Sequence, residues 1–189
     1  MTFQIARIET LYKGRSKFVI AEIRLPDGQI LRREIEDHGA AVAVLPYDPA
    51  RRTAILVRQF RVPVFLSTKQ EDTTEAIAGI VEAEEEPEKC ARREAFEEAG
   101  LKLETLEPVG SAWTMPGVST ERMHLYVAPY GDADRAGPGG GLPEEHEHVT
   151  VVEMALRELA AMADSGRFDD MKTLVLVQTL RLRRPDLFA

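Results

Sequence analysis

The sequence predicts an α/β protein in which a small antiparallel β region precedes one core domain, and three observations carry that prediction. Residues 3–36 alternate in short β-like runs. Two near-continuous apolar runs, AAVAVLPYD and TAILVRQFRVPVF, read as strands covered on both faces. Helix-type spacing of small and apolar side chains appears over Pro87–Ala99 and again near the C-terminus. With 189 residues, 44% of them hydrophobic, the chain can bury one good core but not two large ones.

In order, IARIETLY, FVIAEIRL and ILRREIE form an N-terminal meander, with Pro26-Asp27-Gly28 as the turn between the last two. So small a sheet is marginal alone and must pack on the rest of the chain or on a second copy. His38-Gly39 breaks the pattern. The two apolar strands follow, joined by a turn at Asp48–Arg51, and Arg58 and Arg61 flank Gln59-Phe60 in the second. Arginine suits bidentate phosphate contact, although an arginine snorkelling from a strand end explains the pattern equally well. Ser67–Thr74 is polar and reads as a loop.

Pro87 suits the first position of a helix, since its φ is already helical and its missing N–H has no partner there. Cys90, Ala91, Ala95, Phe96 and Ala99 mark its apolar side, and Gly100 supplies the left-handed residue that stops it. On this helix Glu94, Glu97 and Glu98 share one face within a turn and repel one another. Glu85 and Glu88 each have a cation four residues on and Glu97 has Arg93 four residues back, whereas the Glu94/Glu98 pair has none at that spacing within the helix. An acidic helix is most often a solvated face, but hard oxygen ligands clustered on a rigid element also suit magnesium or manganese.

Beyond the helix, LETLEPVGSAW reads as a strand, Met115–Ser119 as a turn and ERMHLYVAPY as another strand. Trp113 and Met115 could line a pocket for a flat base, but a packed core is the commoner place for a tryptophan. Residues 131–148, GDADRAGPGGGLPEEHEH, have the composition of a mobile acidic loop, and a glycine-hinged loop between strands is also the form of a closing lid. His146 and His148 lack Cys/His partners at zinc spacing. VTVVEM resumes a strand, MALRELAAMADSG is an amphipathic helix, and DDMKTLVLVQTLRLRRP is a final helix closed by Pro185.

A net charge of −8 argues against non-specific nucleic-acid binding, which needs a basic stripe. The one cysteine, Cys90, reads as buried packing. The first residues lack the apolar core of a signal peptide and no run is long enough to span a bilayer, so no membrane association and a cytoplasmic location are expected.

The stretch GIVEAEEEPEKCARREAFEEAGL, Gly79–Leu101, places Gly79, Glu85, Arg93-Glu94, Glu97-Glu98, Gly100 and Leu101 at the intervals of the signature box of the Nudix hydrolases, which it resembles at every signature position. RQFR at Arg58–Arg61, EAIAG at Glu75–Gly79, MPGVSTE at Met115–Glu121 and GGGLPEEHEH resemble the branch that hydrolyses ADP-ribose and GDP-mannose. The resemblance implies an α/β/α sandwich with a mixed sheet over residues 39–189, a dimerising meander over 1–38, and homodimers that exchange N-terminal sheets. It implies Mg²⁺, or Mn²⁺, held by Glu94, Glu98, Glu147 and the Ala78 carbonyl. Catalytic roles fall to Arg93, Glu97, Glu98 and Glu145, with Arg93 orienting the glutamates and Glu145 accepting a water's proton. Arg58, Arg61, Glu75, Met115 and Glu121 would bind substrate, Arg61 on phosphate and Glu75 on a sugar hydroxyl. The proline in PEEHEH is an insertion relative to the family pattern. The implied reaction is metal-dependent hydrolysis of a nucleoside diphosphate sugar. The alternative is a non-catalytic sensor of ADP-ribose or a related nucleotide, which the complete set of signature carboxylates and the lack of a helix-turn-helix pattern disfavour.

Overall fold

The N-terminal alternation folds into β1 (Gln4–Lys13), β2 (Lys17–Arg24) and β3 (Ile30–Asp37), an antiparallel sheet in that order in the computed structural model, which describes residues 2–142 and 148–189. The β2–β3 turn closes because Gly28 adopts φ +88°, open to a residue without a Cβ, while Asp27 Oδ1 accepts the Gln29 N–H at 3.0 Å. Residues 1–41 and 111–123 make one compact unit; 42–110 and 124–189 make the other.

A seven-stranded sheet is built from β4 (Ala40–Asp48), β5 (Thr53–Gln59), β6 (Thr73–Glu75), β7 (Ile77–Ile80), β8 (Glu107–Trp113), β9 (Arg122–Pro129) and β10 (Thr150–Ala155). Its order is β10-β5-β4-β9-β8, with β6 on β5 and β7 on β4. The helices are α1 (Val62–Thr68), α2 (Pro87–Ala99), α3 (Leu156–Asp164) and α4 (Met171–Arg183).

Strand alternation shows why the sheet reads as apolar on both sides. Val42, Val44, Ile55 and Val57 cluster with Cys90, Ala91 and Ala95 of α2. Ala43, Leu45, Ala54 and Leu56 face the opposite way by the period of two and are equally buried. The buried leucines of α3 and α4, Leu156, Leu159, Leu176 and Leu180, stand outside the α2 cluster, with α3 packed on α4 and on β10. The product is a helix–sheet–helix sandwich.

Several boundaries differ from the sequence reading. The second apolar run leaves the sheet at Gln59, and VPVF starts α1 because Pro63 fits a helix's first turn. Ser67 and Thr68 end that helix with their hydroxyls donating to the carbonyls of Pro63 and Val64, both at 2.9 Å, so the expected Ser67–Thr74 loop shrinks to 69–72. Leu103–Leu106 is not strand, and Met154 and Ala155 complete β10 before α3 begins. Helix α2 keeps its predicted limits, with Gly100 at φ +67°, but Phe96 is 44% exposed, not on the buried side. No described helix is long and apolar enough to cross a membrane.

Candidate active site

Helical spacing places Glu94, Glu97 and Glu98 on adjoining faces of α2, and burial then sorts them: Glu98 is 2% exposed and Glu94 9%, while Glu97 stays half-buried. Arg93 is what lets an acidic face persist there. Its Nε and Nη2 fork onto Glu85, both at 3.0 Å, while Nη1 donates to Glu94 Oε1 at 2.7 Å and to Glu97 Oε2 at 3.0 Å. Charge-assisted bonds of this geometry are among the stronger polar contacts, and they hold the Glu85 carboxyl down to about 2. Glu94 thus has a cation after all, because a planar guanidinium reaches the next residue in sequence where a point charge at i+4 spacing was sought.

The Glu94 carboxylate lies against the chain at Gly79, where an added Cβ would fall 1.8 Å from Glu94 Oε1. Glu98 Oε2 accepts the Ala78 N–H at 3.3 Å. Two buried carboxylates therefore flank the Ala78–Gly79 peptide. Among the described residues no three His, Cys, Asp or Glu side chains gather into a metal cage by themselves. The predicted ligand set asks for only two here, Glu94 and Glu98, with the Ala78 carbonyl as third donor. All are hard oxygens on rigid elements, so the residues fit Mg²⁺ or Mn²⁺ and not a soft metal.

Glu145 and Glu147 lie outside the described residues. The glycine run before them is pinned, contrary to the hinge its composition suggests. Ala136 and Gly137 donate their N–H groups to Gly100 O at 2.8 and 3.1 Å, Gly140 donates to Glu98 O at 2.8 Å and Gly141 to Glu97 O at 3.1 Å. These bonds satisfy carbonyls that the end of α2 would otherwise leave open.

A second cluster forms around Glu75, 3% exposed in β6. Oε1 accepts from Arg61 Nε at 2.9 Å and Thr73 Oγ1 at 2.6 Å; Oε2 accepts from Arg61 Nη2 at 2.8 Å and Lys172 Nζ at 2.7 Å. Burial alone would raise the Glu75 pKa, but Arg61 and Lys172 outweigh it and hold the group at about 2. Lys172 escaped the sequence reading. Its signal was Asp170, the N-cap of α4, which accepts Thr173 N–H at 3.0 Å and Lys172 Nζ at 2.9 Å. Thr173, also missed, fixes this end of α4 to β6 and β7, its Oγ1 accepting the Ala76 N–H at 2.6 Å. Arg61, Thr73, Glu75, Asp170 and Lys172, with Pro63, Val64 and Asp169, line a cleft of about 250 Å³. Arg58 is exposed on β5 with no ion pair among the described residues.

Met115 and Glu121 belong to the first unit. Met115 is 57% exposed, and Trp113, 53% exposed with the Arg122 guanidinium 5.5 Å over its ring, is not core. Glu121 accepts a hydrogen bond from His38.

Against this geometry the chain was compared with known proteins. It is 36% identical over 190 aligned residues to GDP-mannose pyrophosphatase of Cronobacter sakazakii, covering 97% of this chain and 98% of that one. It is 35% identical to GDP-mannose pyrophosphatase of Pectobacterium atrosepticum, covering 87% and 85%. Among solved structures, an ADP compounds hydrolase superposes with a TM-score of 0.78 at 18% identity, covering 98% of this chain and 96% of that one, a likeness of fold. The NUDIX domain model matches residues 37–174, which contain the whole α2 glutamate face and its arginine fork, and the chain belongs to the NUDIX family.

Proposed function

We propose that the chain hydrolyses the pyrophosphate bond of a nucleoside diphosphate sugar, GDP-mannose to GMP and mannose 1-phosphate or ADP-ribose to AMP and ribose 5-phosphate. The observation that carries this reading is the buried Glu94/Glu98 pair beside the Ala78–Gly79 peptide, Glu94 bonded to Arg93 and Glu98 to the Ala78 N–H. The relatives named GDP-mannose pyrophosphatase, matched over nearly the whole chain, support nucleotide-sugar hydrolysis and make GDP-mannose the first substrate to test.

Nudix hydrolases generally use a divalent metal ion; Glu94, Glu98, the Ala78 carbonyl and Glu147 would hold it here, as Mg²⁺ or Mn²⁺. When bound, it supplies the positive charge that screens the phosphoryl oxygens from an incoming nucleophile and makes a water more acidic. Arg93 orients Glu94 and Glu97 from behind. Arg61 commits Nε and Nη2 to Glu75, leaving Nη1 for a phosphate oxygen, and Arg58 supplies a second cation. All of the roughly four acceptor sites of Glu75 are filled, so it reaches a sugar hydroxyl only by releasing one of its donors. The cleft of about 250 Å³ is smaller than a whole-nucleotide site, which suits it to the sugar phosphate end. Met115 and Glu121, in the first unit, are further proposed substrate contacts. Water adds to phosphorus, the bridging P–O bond breaks, and Glu145 takes the water's proton.

The protein works as a homodimer through its N-terminal sheet. Phe3, just before β1, and Ile5, Ile8, Leu11 and Tyr12 along it are each more than half exposed, an apolar edge strand of a kind that monomers avoid. Sedimentation should give twice the monomer mass, and the monomer mass would refute the assignment.

Incubation with Mg²⁺ or Mn²⁺ and a panel of GDP-mannose, ADP-ribose, ADP-glucose and dinucleoside polyphosphates, with products identified, tests the activity. Glu98→Gln should abolish turnover and leave thermal unfolding cooperative. No product from any substrate would leave a nucleotide sensor as the function.

A further inference from the structure

The first unit contains a closed polar circuit around His38. Its Nδ1 lies 2.5 Å from Glu36 Oε1 and its Nε2 lies 2.6 Å from Glu121 Oε2. The return path runs from the Glu121 N–H to Ser119 Oγ, 3.1 Å, and from the Ser119 hydroxyl to Glu36 Oε2, 2.8 Å. Backbone bonds brace the same two segments, Glu36 N–H to Val118 O at 2.8 Å and Thr120 N–H to Glu36 O at 3.0 Å.

Each ring nitrogen faces a carboxylate oxygen at hydrogen-bond distance, and a neutral imidazole has only one N–H to offer. Two such contacts require the imidazolium, since a ring lone pair pointed at an oxyanion would repel it. His38 is therefore a doubly donating cation set between two anions, and its side chain is only 19% exposed. Burial lowers its pKa, but the bonds to Glu36 and Glu121 outweigh that and the net shift is upward. The Glu36 carboxyl is also desolvated, yet Ser119, Ser16 and His38 together keep it below its ordinary value. Glu121 gives Oε2 to His38, and its Oε1 has no partner among the described residues. A carboxylate with one oxygen clamped and the other free is prepared to accept from a ligand.

We propose that His38 is a positioning residue for substrate binding, which as imidazolium fixes Glu121 so that its free oxygen accepts a hydroxyl or N–H of the sugar nucleotide. This rests on the assignment of Glu121 to the substrate site under the proposed hydrolase activity. His38 touches no substrate itself. Glu36, itself held by Ser119, anchors the ring from behind; Asp37, the residue before His38, is engaged by the Thr120 hydroxyl at 2.5 Å, and Lys17 of β2 stands opposite Asp37 in the sheet.

The test measures KM and kcat on whichever of GDP-mannose and ADP-ribose is turned over faster, from pH 6 to 10, for the wild type, His38→Gln, His38→Arg and Glu121→Gln. Loss of Glu121's hold removes binding shared by ground and transition states, so His38→Gln and Glu121→Gln should each raise KM about tenfold with kcat little changed. Wild-type KM should climb as His38 loses its second proton. Arginine keeps two directed N–H donors and its charge, so His38→Arg should retain a low KM and flatten that climb. If Glu121→Gln leaves KM alone, the placement of Glu121 at the substrate is wrong. If Glu121→Gln raises KM while His38→Gln does not, or if wild-type KM is flat over this range, the positioning role is wrong. A flat wild-type profile would overturn the role without any variant having to fold, and the flattening in His38→Arg assigns the rise to His38.

Discussion

The Glu94 carboxylate fills the space beside the Gly79 α-carbon, where a built Cβ would fall 1.8 Å from Glu94 Oε1. Glycine is required at 79 by room, since its φ is not in the left-handed region. Gly79→Ala must push Glu94 out of register with Glu98 and the Ala78 carbonyl. We expect apparent metal affinity, read from Mg²⁺ titration of turnover, to fall about 10- to 100-fold, as when a ligand's support is lost. Far-ultraviolet circular dichroism should stay unchanged, because α2 keeps its caps.

Gly139 makes a different demand. It has φ +68°, and a Cβ there would sit 2.4 Å from the Glu98 carbonyl oxygen. The neighbouring Gly140 and Gly141 amides bond to the last turn of α2, so Gly139→Ala lifts the segment that leads to Glu145 and Glu147. A displacement of about 1 Å at a catalytic group can cost about 100-fold, and a loss of that order in kcat is expected. Gly131→Ala is the matched control, since nothing lies within 4 Å of its added Cβ and its φ is extended. Equal rates for the two variants would count against the pinned loop.

What the sequence made legible follows from how local each signal was. Helix α2 was readable to its last residue because Pro87, the small-residue spacing and Gly100 all act within the helix itself. The run VPVF was not, because a short apolar stretch carries no period that separates strand from helix, and only Pro63 hinted at a first turn. Trp113 defied the usual burial of its type because β8 is mostly exposed along its length, a tertiary fact. Lys172 meets Glu75 across 97 residues of sequence, and His38 meets Glu121 across 83, so nothing local in either segment could announce the pairing.

Cys90 is fully buried, its Sγ 3.4 Å from the Ile80 carbonyl, and burial pushes its thiol up to about 12. The nearby Arg93 cation works against that shift without overcoming it. A thiol in this state is not a nucleophile at neutral pH. Native protein should resist a thiol-reactive disulfide reagent at pH 8 for hours, and denaturation in urea should release one equivalent at once. Rapid native labelling would show that the apolar side of α2 opens.

Glu75 makes the stability of the fold depend on acid pH. Its pKa falls from 4.5 to about 2 on folding, so between those values the unfolded chain binds the extra proton. The stabilisation is therefore complete above pH 4.5 and is lost as pH falls toward 2, amounting to about 3 kcal/mol for this single group. Glu75→Gln removes that dependence and leaves Arg61 and Lys172 facing each other across the cleft. Breaking a buried pair by deleting one partner costs about 3–5 kcal/mol. For a chain of 189 residues each kcal/mol shifts the melting temperature about 2–4 °C, so the variant should melt about 10 °C lower at pH 7. The gap should narrow as both proteins are taken to pH 3, because the wild type approaches the protonated state that glutamine mimics. A gap that stays constant across that range would place the acid-sensitive contact elsewhere than the Arg61–Glu75–Lys172 cluster.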